Sequence, residues 1–104
     1  MEKLNYKKIN EYIADNVINL FYIKRLEKLK QYTNVKGSKV VFESARRIVR
    51  LLKEIEQAYG KNTSVSVCVE MTKKFENVES GLVADVRKIF KNKTSKGEMT
   101  VVFI

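Results

Sequence analysis

The chain contains no proline and no histidine, a single cysteine at Cys68, and only four glycines, at 37, 60, 81 and 97. Each shortage removes a class of chemistry. Without histidine the chain lacks the commonest metal ligand and the usual general base near neutral pH. One cysteine cannot build an intramolecular disulfide framework, and with no imidazole to activate its thiol, Cys68 reads as a small strand residue rather than a nucleophile. The glycine-containing loops match neither G-x-G-x-x-G nor G-x-x-x-x-G-K-[ST], so no phosphate-cradling loop is recognised. No catalytic residue, metal or cofactor is expected from these features, and the protein reads as a non-enzyme.

Long apolar runs are also missing. The richest, Val17 to Ile23, stops at Lys24 and Arg25 and falls far short of the ~20 residues a membrane-spanning helix needs. The N-terminal residues Met1 to Lys8 carry no apolar leader core, so a cytoplasmic location without membrane association is the expectation.

What is present is basic charge and enough apolar surface to fold. Of 104 residues, 44% are hydrophobic, sufficient for one compact domain spanning 1–104. Lys and Arg number 21 against 12 Asp and Glu, a net charge of +9, which favours a polyanionic partner through long-range attraction and counterion release. Because 16 of the 21 are lysines in a chain also rich in Asn and Ile, part of that charge is what A·T-rich codons produce on their own.

Hydrophobic periodicity suggests an α+β fold: two main N-terminal helices, then strand, helix, strand. From about 5 to 33 the spacing is helical, but beyond Asn16 apolar residues go nearly all round, which calls for a break near Asp15-Asn16 or for burial against a second chain. A homodimer interface through Val17, Leu20, Phe21, Tyr22, Leu26 and Leu29 is therefore expected. A second helix is read over 39–59, with Ser38 as N-cap, Gly60 as a left-handed stop, and an apolar face of Val41, Ala45, Ile48, Val49, Leu52, Ile55 and Tyr59. Alternation from Thr63 to Thr72 predicts a strand, and the β-rich ending Glu98 to Ile104 predicts another. Val78 to Lys91 fits a helix better than a strand. An alternative is a winged-helix-like arrangement, helices followed by a three-stranded antiparallel meander.

The second helix carries three of the five arginines. At about 100° per residue, Arg46, Arg50 and Lys53 form a stripe opposite the apolar face, flanked by Arg47. Arginine is suited to bidentate phosphate or guanine contacts, and a short turn leading into such a helix has the general look of a helix-turn-helix recognition helix. The expectation is a small DNA-binding regulator or adaptor, of the kind plasmids and viruses carry, that contacts duplex DNA through Arg46, Arg47, Arg50 and Lys53. Lys36, Lys39, Lys91, Lys93 and Lys96 would add phosphate contacts. The bland alternative is a solvated face knitted by pairs such as Arg47 with Glu43, Arg50 with Glu54 and Lys53 with Glu56. A competing function is a protein-binding inhibitor or adaptor that docks on an acidic or nucleic-acid-binding surface.

Overall fold

The computed structural model describes residues 17–18, 25–69, 77–93 and 96–104. In chain order the elements are strand β1 (Val17–Ile18), helix α1 (Arg25–Lys30), strand β2 (Lys39–Ser44), a 3-10 turn (Ala45–Arg47), helix α2 (Ile48–Tyr59), strands β3 (Ser64–Val69) and β4 (Asn77–Leu82), helix α3 (Val83–Lys91) and strand β5 (Glu98–Phe103). The strands form one sheet in the order β1-β2-β5-β3-β4. Four of them run antiparallel, and the two-residue β1 adds in parallel beside β2.

Strand pleating divides the sheet into two faces. Val41, Val65, Val67, Val69, Met99, Val101 and Phe103 point toward the helices and join Ile48, Leu51, Leu52 and Ile55 of α2, Val83, Val86 and Phe90 of α3, and Leu29 of α1 in one core. Burying each of these side chains contributes roughly 1.5–3 kcal/mol, which makes this layer the main source of stability. The opposite face carries Val40, Phe42, Ser66, Cys68, Thr100 and Val102; of these Val40, Ser66, Cys68 and Thr100 are buried as well.

The α+β class expected from the sequence holds, and β3 and β5 fall where alternation placed them. The element order differs. Lys39–Ser44, read as the start of a helix, is a strand held by β5 on one side and β1 on the other. Val40, Val41 and Phe42 are strong strand formers, and pairing with β5 over the whole of β2 outweighs the helical spacing of Val41 and Ala45. Ser38 therefore caps no helix. There is no helix-turn-helix and no wing.

The 78–91 segment divides into strand and helix. Leu82 ends β4, and Val83 begins α3 with its N–H donated to the Thr63 carbonyl at 2.8 Å, which satisfies one of the donors left free at a helix start. Gly60 does terminate α2 at φ +97, but with an extended ψ of 160 rather than a left-handed helical one. Of the long first helix only Arg25–Lys30 is seen as helix, and Val17–Ile18 is strand; the rest of that reading, including Leu20, Phe21 and Tyr22, lies outside the described residues.

Candidate functional site

The densest polar arrangement lies where β2 gives way to α2. Arg25 projects from α1 between the end of β2 and the first turns of α2, and is only 6% exposed. Its Nη2 donates to Glu43 Oε2 at 2.7 Å and lies 2.9 Å from Glu54 Oε1, while its Nε donates to Glu54 Oε1 at 3.0 Å. Glu43 is as deeply buried, at 5%, and its other oxygen accepts from the Ser44 backbone N–H at 2.9 Å and from Arg47 Nε at 2.8 Å. Arg50 approaches Glu54 Oε2 at 3.8 Å. One buried guanidinium thus joins three elements, and two arginines at the surface tie into the same carboxylates.

The electrostatics follow from that geometry. Burial disfavours ionised Glu43, but the hydrogen bonds from Ser44, Arg25 and Arg47 outweigh it and hold its carboxyl below the usual range. Burial likewise disfavours charged Arg25, and the two glutamates more than compensate, raising its pKa further. Every oxygen of Glu43 is engaged, so it has no lone pair positioned to act as a general base. The network is an organiser: it fixes the junction from which Arg46, Arg47 and Arg50 emerge.

The other concave feature is an open groove of about 320 Å³ at one end of the sheet, lined by Ser64, Val65, Ser66, Ser80, Gly81, Val102, Phe103 and Ile104. Ser66 and Ser80 hydroxyls lie 2.9 Å apart across β3 and β4. Its walls are largely apolar and it contains no charged side chain.

The basic residues singled out in the sequence do not share one surface. Arg46 and Arg47 stand on the 3-10 turn and Arg50 and Lys53 on α2, all four exposed. The turn bearing Lys96 adjoins them through the Ala45 N–H to Gly97 carbonyl bond of 3.0 Å. Lys93 sits at the far edge of the sheet, 3.5 Å from Glu79 of β4 and over the Phe90 ring. Lys91 is exposed at the end of α3, and Lys36 is exposed in the turn before β2. Lys39 is buried at 6%, with its ammonium over the Tyr59 ring, because it falls on the helix-facing side of β2; it is no surface contact. Leu29 is fully buried in the chain's own core, so it cannot serve a dimer interface, whereas Leu26 is half-buried.

Two of the surface pairs read from helical spacing are present, Arg47 with Glu43 and Arg50 with Glu54. Glu56 instead pairs with Arg87 of α3 at 3.0 Å. Sequence reasoning missed that Glu54 is buried, at 8%, and that Arg25 lies inside the fold. A signal existed: Glu54 follows Leu51 by three and precedes Ile55, which puts it on the margin of the apolar arc.

No family model matches the chain. Against curated proteins, it is 30% identical over 66 residues to the ribosomal RNA small subunit methyltransferase I of Mycoplasmopsis pulmonis, covering 64% of this chain and 29% of that protein. It is 26% identical over 72 residues to the enzyme of the same name from Rickettsia prowazekii, covering 69% and 25%. The chain thus spans less than a third of the length of these relatives. Among solved structures it superposes on a cobalt-precorrin-4 methyltransferase with a TM-score of 0.63 at 19% identity, over 84% of this chain and 39% of that one.

These findings overturn the expected function. A DNA-binding regulator, or a non-enzymatic adaptor, is contradicted by relatives and fold neighbours that are enzymes, all of them methyltransferases. The physical reason for the misreading is in the strand: with 39–44 in the sheet, the arginine stripe is not one face of a recognition helix, and Arg47 is spent on the buried glutamates. The chain has the fold of part of a methyltransferase.

Proposed function

We propose that this chain is a structural portion of a methyltransferase acting on small-subunit ribosomal RNA. The observation that carries this reading is the 30% identity over 66 residues to an enzyme of that name, joined to a fold match with a methyltransferase reached by structure alone. Ribosomal RNA is favoured over a tetrapyrrole because the RNA enzymes are the ones similar in sequence, while the cobalt-precorrin enzyme is similar at 19%. A net charge of +9 suits a polyanionic substrate.

The portion contributed is architectural. Methyl transfer needs a donor such as S-adenosylmethionine, whose ammonium and ribose diol call for carboxylate or carbonyl acceptors. Among the described residues, the buried carboxylates Glu43 and Glu54 are already engaged with Arg25 and Arg47, and the open groove holds serines and apolar walls. These residues do not fit that donor, and no step of the transfer is assigned to them. Their role is to hold a four-stranded antiparallel sheet and its helices as a rigid platform for the remainder of the enzyme.

The test is a chimera in which this chain replaces the matching segment of the Mycoplasmopsis enzyme, incubated with small ribosomal subunits and labelled donor. Label entering the RNA supports the reading. A chimera that melts cooperatively and yet transfers nothing contradicts it.

A further inference from the structure

Strand β4 ends the sheet, and five of its six residues are exposed. Which of its backbone groups are free can be deduced. Val83 N–H donates to the Thr63 carbonyl, and bonded residues recur at every second position of an antiparallel ladder, so Gly81, Glu79 and Asn77 turn their N–H and C=O groups toward β3. On the other side of β3, the Ser64 carbonyl is taken by Ile104 N–H rather than by β4, as the same alternation requires. Val78, Ser80 and Leu82 therefore direct their N–H and C=O groups away from the sheet, where no described strand meets them. Natural edge strands are blunted by proline, inward charge or lysine; this one has none of these, and its single charge, Glu79, is held by Lys93 of the same chain at 3.5 Å.

The edge is complementary to itself in one register. We propose that two copies of this chain associate through β4, antiparallel, about a two-fold axis at Ser80, so that the two sheets become continuous. An axis perpendicular to the sheet keeps each face on its own side, so facing residues must share parity. Centring on Ser80 sets Ser80 against Ser80 and Val78 against Leu82 of the other copy in both directions, with two hydrogen bonds at each of these three facing pairs. The exposed apolar side chains Val78, 36% exposed, and Leu82, 41% exposed, then cover one another on the face away from the helices. Each Glu79 faces Gly81 of the other copy, where the missing side chain leaves room. Centring on Glu79 would set two carboxylates face to face, and centring on Gly81 would run Val83 of α3 into the ladder. The occupant is a second copy because this edge meets its own hydrogen-bonding, apolar and charge requirements in that register.

Oxidative cross-linking of the full chain with single cysteines on β4, together with sedimentation equilibrium, tests this. Facing Ser80 Cα atoms would lie about 5.5 Å apart, inside the range a disulfide spans, whereas the two Leu82 residues would be offset by about 13 Å along the strands. Ser80→Cys is expected to give a disulfide-linked dimer and Leu82→Cys to give none; native Cys68, 1% exposed, does not compete. Ser80→Pro removes an outward N–H without touching the bonds to β3, and is expected to abolish association while the chain still melts cooperatively. A monomeric wild type at ~100 μM, equal cross-linking of both cysteine variants, or a dimer that Ser80→Cys fails to trap would each overturn the proposal.

Discussion

Arg25 Nη2 lies 2.7 Å from Glu43 Oε2, both side chains about 5% exposed, and this contact joins α1 to the last turn of β2 while the same guanidinium reaches α2 through Glu54. Ion pairs at a surface contribute little, because water and salt screen them. This one is buried, and the consequence of breaking it is decided by what remains: two carboxylates with no cation between them.

Arg25→Met is therefore expected to destabilise the fold by about 3–5 kcal/mol, read as a lowered midpoint in urea denaturation. Adding Glu43→Gln and Glu54→Gln to that variant is expected to recover part of the loss, since the uncompensated charges are gone. A cost below ~1 kcal/mol for Arg25→Met would show the network to be dispensable.

Acid should loosen the same junction. Glu43 has a depressed pKa in the folded protein, so the unfolded chain takes up its proton first as pH falls. The stabilisation is fully present above the ordinary glutamate value of about 4.3 and is lost as pH drops from there through the lower native value. Denaturation midpoints followed from about pH 6 to about pH 3 are expected to fall more steeply for the wild type than for Glu43→Gln. Parallel curves would remove Glu43 from the account.

Tyr59 donates its hydroxyl to the Leu29 carbonyl at 2.6 Å and stacks edge-on against Phe103 at 5.0 Å, tying α2 to α1 and to the sheet. Tyr59→Phe keeps the ring contact and loses only the hydrogen bond. The Leu29 carbonyl still accepts from Tyr32 N–H at 3.2 Å, so it is not left bare, and the expected loss is about 1 kcal/mol by equilibrium unfolding.

Gly60 ends α2 at φ +97, and nothing lies within 4 Å of where a Cβ would stand. Gly60→Ala is therefore a test of backbone strain alone, expected to cost about 1–3 kcal/mol despite the empty space. A neutral result would mean that the loop relaxes to a negative φ.

The sequence was most legible where one periodicity ruled. Val65, Val67 and Val69 alternate cleanly, and α2 from Ile48 onward keeps its apolar positions in step, so β3 and the body of that helix were readable. Residues 39–44 were not, because Val41 satisfies a helix spacing and a strand pattern equally, and what decides between them is β5, nearly 60 residues away. The same ambiguity ran through Val78 to Leu82, where pairing with β3 fixed a strand that local spacing read as helix. Arg47 and Arg50 were seen, but as a face for a partner; their neighbours Glu43 and Glu54 bind Arg25 inside the fold, a relation across 18 and 29 residues that no local pattern encodes. The catalytic setting was illegible for a different reason: the described residues show a scaffold, and the likeness to methyltransferases rests on comparison with whole enzymes about three times as long.

The central claim, that this chain belongs to the machinery that methylates small-subunit ribosomal RNA, is tested most directly by mass spectrometry of that RNA from cells with and without the gene. The account predicts that one methylated nucleotide disappears on removal and returns when the gene is restored. An unchanged set of methylated nucleotides would contradict it.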